Sequence, residues 1–212
     1  MISFGMNWKN AMSKDRYLLT QSLLTAWEYQ YSAFDPEAAH QDFLRVLYRK
    51  TGKTGPAAQK GIDFEDLVTA YIRGKEPPRE HKWYQAVCQA GEIVRGSQPQ
   101  VKSYREKRID EVDFLLYGRF DYLRAGTIFD TKFSHGYCVG KYLNSPQHPM
   151  YFACEPSAYR FVYIVSDGRS IFKEEYSLEE TPSIESIVPQ FLRYLDDTGL
   201  RNIYYQHWRC KP

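Results

Sequence analysis

The amino-acid sequence predicts one mixed α/β domain with a central sheet flanked by helices. The chain has 212 residues, which is long enough for a single domain with a sizeable hydrophobic core. Apolar residues recur at intervals of three and four in the N-terminal part and again near the C-terminus, as in amphipathic helices. The middle of the chain is instead rich in β-branched and aromatic residues, which favour strands. Helices on both sides of a block of strands are typical of a mixed α/β fold.

The N-terminal part of the chain, residues 1–56, is predicted to be helical and to pack on the rest of the domain. A first helix is predicted from Asp15 to Tyr31, where apolar residues recur with helical spacing. A second helix follows Pro36 and ends near Thr51, where a loop to Pro56 begins.

Two further helices and three strands are predicted in the middle of the chain. The apolar residues from Gly61 to Ile72 give one of the clearest helical stripes, and another helix is predicted from Glu80 to Arg95. The pattern changes after Pro99, where β-branched and aromatic residues dominate. The strands predicted there are Val101 to Ile109, Val112 to Leu123 and Thr127 to Phe133.

The last third of the chain is predicted to contain a short helix, two strands and a helical end. The short helix lies around Pro146 to Cys154, and the strands are Tyr159 to Val165 and Ser170 to Tyr176. Helical spacing returns from Ile184 to Leu195. The sequence contains no internal repeat, low-complexity tract or linker, which predicts a single domain over residues 1–212.

Composition limits the classes of protein to which the chain belongs. Hydrophobic residues make up 43% and charged residues 25%, as in folded globular proteins, and the formal net charge of +2 does not by itself indicate nucleic-acid binding. No apolar run approaches the roughly 18 residues that cross a bilayer, and the N-terminal residues lack a signal-peptide core, which predicts a cytoplasmic protein without a membrane partner. The widely spaced cysteines are predicted to be buried thiols, namely Cys88, Cys138, Cys154 and Cys210.

The segment from Gly118 to Lys132, GRFDYLRAGTIFDTK, predicts a β-hairpin with its turn at Ala125–Gly126. In this register Asp121 is opposite Asp130, and Arg119 is opposite Lys132. Side chains alternate along a strand, so these four charged residues are expected on one face of the hairpin. The other face would carry Phe120, Tyr122, Phe129 and Thr131.

Two carboxylates opposite each other on neighbouring strands need a compensating charge. At about 5 Å they repel each other by about 3 kcal/mol when the effective dielectric constant is about 20. Protonation of Asp121 or Asp130 would relieve this repulsion, and so would a hard divalent cation with oxygen ligands. Lys132 could then hold or polarise a water molecule beside the cation. A solvated polar face on an antiparallel sheet would explain the same charges without any site.

Three other polar residues lie where helices are predicted. Glu65 is at the edge of the apolar stripe of its helix, near the direction of Val68, so its carboxylate can reach over a sheet face. Gln147 and Tyr151 are four residues apart and therefore project from one face of the short helix. That face lies near a helix N-terminus, which attracts phosphate.

Four motifs follow one another along the chain: Glu65 on a helix, Gly118-x-x-Asp121, Asp130-x-Lys132 and Gln147-x-x-x-Tyr151. In this order they resemble the PD-(D/E)XK nuclease superfamily, and within it the RecB-like exonucleases, a branch that includes CRISPR-associated adaptation nucleases and is similar to phage exonucleases. Each motif alone is short. Their order and the elements on which they lie carry the resemblance.

The resemblance implies a restriction-endonuclease-like core and a metal-dependent deoxyribonuclease that leaves 5′-phosphates. It implies one or two Mg²⁺ or Mn²⁺ ions, with Lys132 assisting the attacking water. The metal ligands implied are the side chains of Glu65, Asp121 and Asp130 and the backbone carbonyl of Thr131. Substrate DNA would contact Gln147 and Tyr151, which would also support the active site.

The resemblance also implies binding partners, and it leaves other functions open as alternatives to the exonuclease. DNA is the expected partner, in linear form with accessible ends, together with a recombination or helicase partner, because the chain has no helicase motif of its own. A structure-specific or restriction-type endonuclease is one alternative, and an inactive DNA-binding or interaction module of the same fold is another. The roles of His135 and His148 and the oligomeric state stay open. An iron–sulfur cluster is not expected, because no cysteine precedes Glu65.

Overall fold

The computed structural model of the protein describes residues 15–50, 52 and 55–210. Over these residues the chain is an α/β protein in which seven helices flank a central mixed sheet of six strands. The first half comprises β1 (Arg16–Thr20), α1 (Gln21–Tyr29), α2 (Pro36–Leu47), α3 (Pro56–Ile72), α4 (Tyr84–Val94), β2 (Gln98–Ile109) and β3 (Val112–Arg124). The second half comprises β4 (Thr127–Phe133), α5 (Gln147–Cys154), β5 (Arg160–Ser166), β6 (Ile171–Ser177), α6 (Ile184–Asp197) and α7 (Arg201–Trp208).

The strands are arranged in the order β1-β3-β4-β5-β6, and β2 pairs with β3. The pairs β1–β3 and β4–β5 are parallel, whereas β2–β3, β3–β4 and β5–β6 are antiparallel. The long strand β3 therefore has three strand neighbours, and it is the centre of the sheet.

One edge of β3 is open over a short stretch. Strand β2 pairs with β3 from Val112 to Leu123 and so occupies one edge along almost its whole length. The other edge is shared by β1, which pairs with Asp113–Tyr117, and by β4, which pairs with Tyr122–Arg124. Between these two partners, no strand of the described residues pairs with residues 118–121 of β3 on that edge. We call this stretch the β3 gap.

Helices cover the sheet on both faces, so there are two hydrophobic cores. The larger core contains buried residues of α1, α2, α5, α6 and α7, and the smaller one contains buried residues of α3 and α4. Strand residues contribute alternately to the two cores. Ile128 and Phe161 belong to the larger core, while their chain neighbours Phe129 and Val162 belong to the smaller one. This alternation fixes the orientation of β4 and β5 between the helix layers.

The predicted element order is confirmed in the main, with one error near the N-terminus. The single helix predicted from Asp15 to Tyr31 is wrong at its start, because residues 16–20 form β1 and α1 begins only at Gln21. Leu19 is fully buried, but it lies in a strand opposite Leu116 rather than on the helix. The part of the chain predicted to be helical therefore supplies a strand of the central sheet as well. Residues 1–14 and 51, and 53–54 of the predicted loop, lie outside the described residues.

Two other expectations concern cysteines and membranes. Cys154 is buried as predicted, but Cys88 and Cys210 are only partly buried and Cys138 is exposed, so the prediction of four buried thiols is wrong for these three. Within the described residues, no helix combines the length and hydrophobicity that crossing a membrane requires.

Candidate functional site

A cleft of about 390 Å³ lies at the β3 gap. All seven residues that the sequence singled out line this cleft, namely Glu65, Asp121, Asp130, Thr131, Lys132, Gln147 and Tyr151. The remaining lining residues are Thr20, Gln21, Ser22, Tyr117 and Arg119. Strand β3, strand β4, helix α3 and helix α5 each contribute side chains, and the junction of β1 and α1 closes one end.

The β3–β4 hairpin has the predicted turn and register. Ala125 and Gly126 both have positive φ, 44° and 73°, as a two-residue hairpin turn of the primed type requires. Opposite residues are Tyr122 and Phe129, Leu123 and Ile128, and Arg124 and Thr127. The ladder ends at Tyr122 and Phe129, so neither of the two predicted pairings forms, that of Asp121 with Asp130 or that of Arg119 with Lys132. The two strands separate at the residues that carry the predicted carboxylates.

The predicted division of the hairpin into one charged and one apolar face is wrong. Phe120 belongs to the larger core and Tyr122 to the smaller one, although strict alternation would place both on the same face. This change of face results from an interruption of the β2–β3 ladder, in which Gln100 and Asp121 are not paired although the residues on both sides of them are. Gln100 has a φ of 55°, in the left-handed region, and its backbone interrupts the regular strand at this point. Both faces of the hairpin are therefore covered.

Asp121 binds the neighbouring strand through its side chain. Its Oδ2 accepts hydrogen bonds from the backbone N–H of Thr131 at 2.8 Å and from the Thr131 hydroxyl at 3.0 Å. The Asp121 residue is only 8% exposed. Because β3 and β4 have separated here, the carboxylate supplies the acceptor that a strand carbonyl would otherwise provide.

Asp130 is enclosed by two polar partners. The Nε2 of Gln147 donates to its Oδ1, and the Nζ of Lys132 lies 2.5 Å from its Oδ2. Asp130 is 3% exposed, whereas the Lys132 side chain keeps 30% of its surface in solvent. Lys132 thus pairs with a buried carboxylate while part of its side chain stays in contact with solvent.

Helix α5 contacts the residues of the β3 gap on the side of the larger core. The Tyr151 hydroxyl donates to the backbone carbonyl of Arg119 at 2.9 Å, and the Tyr151 ring contacts the Phe120 ring with 4.8 Å between centroids. A Cβ on Gly118 would come within 3.3 Å of Tyr151 and 2.8 Å of Phe120, so glycine allows this approach. Gln147 and Tyr151 both face the cleft, which confirms that they share one side of the helix.

Glu65 reaches the cleft from α3, at the edge of the buried stripe as predicted. Its neighbours Phe64 and Val68 are fully buried in the smaller core, while Glu65 is partly exposed. The Nε2 of Gln100 donates to Glu65 Oε1, and the Tyr122 hydroxyl lies 3.3 Å from the Glu65 backbone carbonyl. The helical acid is therefore held by the irregular residue of β2.

The electrostatics of the cleft follow from burial and from the crowding of charges. Burial raises the pKa of Asp121 well above its usual range, and the charges of Asp130 and Glu65 add to the effect. Burial also raises the pKa of Glu65, although Arg119 opposes that shift. Burial lowers the pKa of Lys132, but the negative charges of Asp130 and Asp121 outweigh it, so the net shift is upward. A cation added here would relieve the repulsion among the three acids.

The fit of a metal ion to these residues is partial. Asp121 and Asp130 both line the cleft and offer carboxylate oxygens, which suit a hard cation. Among the residues described, however, no three His, Cys, Asp or Glu side chains are placed so that they could together hold one ion. Glu65 lies in the same cleft but is bound to Gln100. The arrangement is thus a pair of carboxylates with a third within the cleft.

Several residues that line the cleft or contact its lining residues escaped prediction or received no role. Gln100 carries no motif, and its importance arises from a backbone conformation that sequence does not reveal. Arg119 was placed on a charged face without a function. Thr20 had a usable signal, because it caps α1 by accepting the Leu23 N–H at 3.3 Å, a common role of threonine before a helix. Neither His135 nor His148, whose roles were open, lines the cleft.

Comparisons with known proteins add little to this geometry. No protein-family model and no curated protein matches the chain. A solved structure described as the crystal structure of SSO0001 is similar, with a TM-score of 0.47 and 18% sequence identity, and the match covers 90% of this chain and 79% of that one. A likeness of this degree carries no argument about activity. The fold assignment rests on the strand order and helix layers of this chain.

Proposed function

We propose that the chain is a metal-dependent deoxyribonuclease of the PD-(D/E)XK superfamily, similar to RecB-like exonucleases. The observation that carries the proposal is the cleft at the β3 gap. It collects two buried carboxylates, a third carboxylate from a helix and one ammonium group, in the chain order that the resemblance implies. The same side chains on a merely solvated sheet face would be exposed, whereas Asp121 and Asp130 are 8% and 3% exposed.

The proposed cofactor is Mg²⁺ or Mn²⁺, as one or two ions. Asp121 and Asp130 would supply carboxylate oxygens, and Thr131 would supply its backbone carbonyl, all of them ligands that hard cations prefer. Glu65 would join them from α3 through its Oε2, while Gln100 keeps its hydrogen bond to Oε1. When bound, such an ion lowers the pKa of water and neutralises the negative charge that grows on the phosphate during hydrolysis.

Lys132 would act as a cation rather than as a base. Its pKa is raised above the ordinary value by Asp130 and Asp121, so the amino group is protonated at neutral pH. Its side chain lines the cleft and is partly exposed, so it can orient a water molecule and contact a phosphate oxygen. This position agrees with the assisting role that the resemblance implies.

Gln147 and Tyr151 would hold the two strands in the geometry that the reaction needs. Gln147 fixes one oxygen of Asp130, and Tyr151 fixes the β3 backbone at Arg119. Both side chains line the cleft, so contact with substrate DNA is part of the proposal. The proposed products carry 5′-phosphates, and the proposed setting is the cytoplasm with a recombination or helicase partner.

The proposal is tested by incubating the purified protein with Mg²⁺ or Mn²⁺ and either linear or circular DNA. Cleavage by the wild type should fall at least about 100-fold in Asp121→Ala and Lys132→Ala. Glu179→Ala, at an exposed acidic position, is the matched control and should cleave normally. Equal cleavage by wild type and both site variants would identify a contaminant and contradict the proposal.

The same assay separates the alternative functions. Digestion of linear DNA alone indicates the exonuclease, whereas cutting of circles indicates an endonuclease. An inactive binding module would cleave neither form. Calorimetric titration with Mn²⁺ then distinguishes it further, because a nuclease of this type must bind the ion and a binding module need not.

A further inference from the structure

Basic and aromatic side chains lie together on one face of β2 and β3, next to the cleft. In the antiparallel ladder Lys102 is opposite Arg119, and Tyr104 is opposite Tyr117. Directly opposed side chains are about 5 Å apart, and residues two apart in a strand share a face. The four side chains therefore form one continuous surface, which we call the β2–β3 outer patch.

The patch lies on the uncovered face of the two strands. On the opposite face, the Ser103 hydroxyl donates to the Cys154 carbonyl of α5 at 2.8 Å, and Phe114 and Leu116 are fully buried. On the patch face, Lys102 and Arg119 are exposed and Tyr104 keeps 57% of its surface in solvent. Large aromatic and cationic side chains are thus available to a ligand.

The chemistry of the patch is specific. The rings of Tyr104 and Tyr117 are 4.9 Å apart at an angle of 36°. Within the described part of the chain, neither Lys102 nor Arg119 has an ion-pair partner. Two cations without an ion-pair partner, beside an exposed tyrosine and a half-buried one, favour a ligand with both negative charge and flat rings.

The patch is continuous with the cleft. Tyr117 and Arg119 belong to the patch and also line the cleft, and Asp121 follows Arg119 by two residues on β3. The charge of Arg119 also acts on the carboxylate of Glu65. A chain molecule lying along the patch would therefore lead to the three acids.

We propose that the β2–β3 outer patch binds single-stranded DNA that continues into the cleft. Bases stack on Tyr104 and Tyr117, and phosphates lie beside Lys102 and Arg119. Stacking on a side chain requires an exposed base face, which a single strand offers and a paired duplex does not. The proposal deepens the proposed nuclease function and rests on it, since it assigns a surface beside the cleft to the DNA strand.

The test measures DNA binding separately from cleavage. Fluorescence anisotropy in EDTA reports the binding of a labelled single strand of about 12 nucleotides, within the usual range for such surfaces, and of the matching duplex. We expect tighter binding of the single strand. Tyr104→Leu should weaken it by about 5- to 100-fold. Lys102→Ala should weaken it and reduce the slope of log affinity against log salt by about 0.7.

Matched controls come from other exposed positions. Tyr29→Leu removes a tyrosine that is 55% exposed on α1, and Lys75→Ala removes an exposed lysine. Both should bind the single strand as the wild type does. Thermal unfolding of all four variants checks that the fold is kept, which the exposure of the replaced side chains leads us to expect.

The outcomes separate this inference from the proposed function. Unchanged single-strand binding by Tyr104→Leu and Lys102→Ala, or equal affinity of the wild type for the duplex, overturns the patch even if the wild type cleaves DNA. Patch-dependent binding without metal-dependent cleavage supports the patch and overturns the nuclease. A wild type that neither binds nor cleaves DNA overturns both.

Discussion

The side chain of Asp121 replaces a strand neighbour for the backbone of Thr131. Its Oδ2 accepts the Thr131 N–H at 2.8 Å, directly beyond the last paired residues of the β3–β4 hairpin. A backbone N–H left without a partner in this buried place would cost about 1–3 kcal/mol. Asp121 therefore stabilises the separated strands while its charge is held in an unfavourable environment. Substitutions of Asp121 can separate the stabilising hydrogen bond to Thr131 from the destabilising buried charge.

Asp121→Asn should stabilise the metal-free protein while abolishing cleavage and Mn²⁺ binding. The amide oxygen can still accept the Thr131 N–H, but the buried charge and its repulsion with Asp130 are removed. We expect a gain in the free energy of unfolding on the order of 1 kcal/mol at neutral pH. Urea unfolding in EDTA measures the stability, and calorimetry measures the binding of Mn²⁺.

The pH dependence gives an independent check on Asp121. Since its pKa is raised by burial, the folded protein holds this proton more tightly than the unfolded chain does. The free energy of unfolding should thus fall as pH rises from the ordinary value of 3.8 toward the raised one, and Asp121→Asn should lack that fall. Asp121→Ala, which loses the acceptor for Thr131, should be less stable than Asp121→Asn. The reverse order would contradict the structural role.

Gln100 should affect activity through Glu65 and stability through its backbone. Gln100→Gly suits the left-handed φ of 55° and Gln100→Ala does not, so the glycine variant should be more stable by about 1 kcal/mol. Both variants lose the donor to Glu65, and cleavage should fall by about 10- to 100-fold in each. Wild-type cleavage by Gln100→Gly would show that the side chain does not position the acid.

Gly118→Ala should disturb the contact between β3 and α5. The added methyl would lie 2.8 Å from the Phe120 ring and 3.3 Å from Tyr151, so packing must shift. We expect a loss of stability of about 1–3 kcal/mol and a parallel loss of cleavage. Gly61→Ala is the matched control, because its methyl would meet no atom within 4 Å on helix α3. That variant should be as stable as the wild type or more so by about 0.5–1 kcal/mol.

His148 should make the protein less stable in mild acid. Its ring is stacked on Tyr176 at 4.3 Å and is 1% exposed, and burial lowers its pKa to about 4. The unfolded chain takes up this proton below about 6.5, so the free energy of unfolding falls as pH drops from 6.5 toward 4. The fall attributable to this group is about 3 kcal/mol at most.

Chemical unfolding between pH 7 and 4 measures this effect. His148→Gln has no titratable ring and should lose less stability over that range than the wild type. His135→Gln, at an exposed position, should keep the loss that His148 causes. Identical pH profiles for His148→Gln and the wild type would contradict the assignment.

Local interactions explain which features of the fold were predictable. The spacing of apolar residues identified α2, α3 and α6, because one stripe of each helix is buried in a hydrophobic core. Turn residues and alternation fixed the β3–β4 register, since a hairpin pairs residues that are close in sequence. The motifs and the resemblance they carry likewise named seven residues that line one cleft.

Pairing between distant segments explains what was missed. Strand β1 is short and its apolar residues continue the helical spacing of α1, so only its partner Asp113–Tyr117, far along the chain, distinguishes it as a strand. The change of face between Phe120 and Tyr122 depends on the left-handed Gln100 of β2. Neither effect has a local signal in the sequence.

The sequence by itself determined the helices, the hairpin and the set of acidic and basic residues, because each depends on neighbours within a few positions. Only the tertiary structure decided where those residues meet. Strands β1 and β4 share one edge of β3, and among the described residues neither they nor another strand pairs with residues 118–121 on that edge. The cleft exists because backbone pairing must stop there, and side chains of Asp121 and Tyr151 take over the hydrogen bonds that strands would have made.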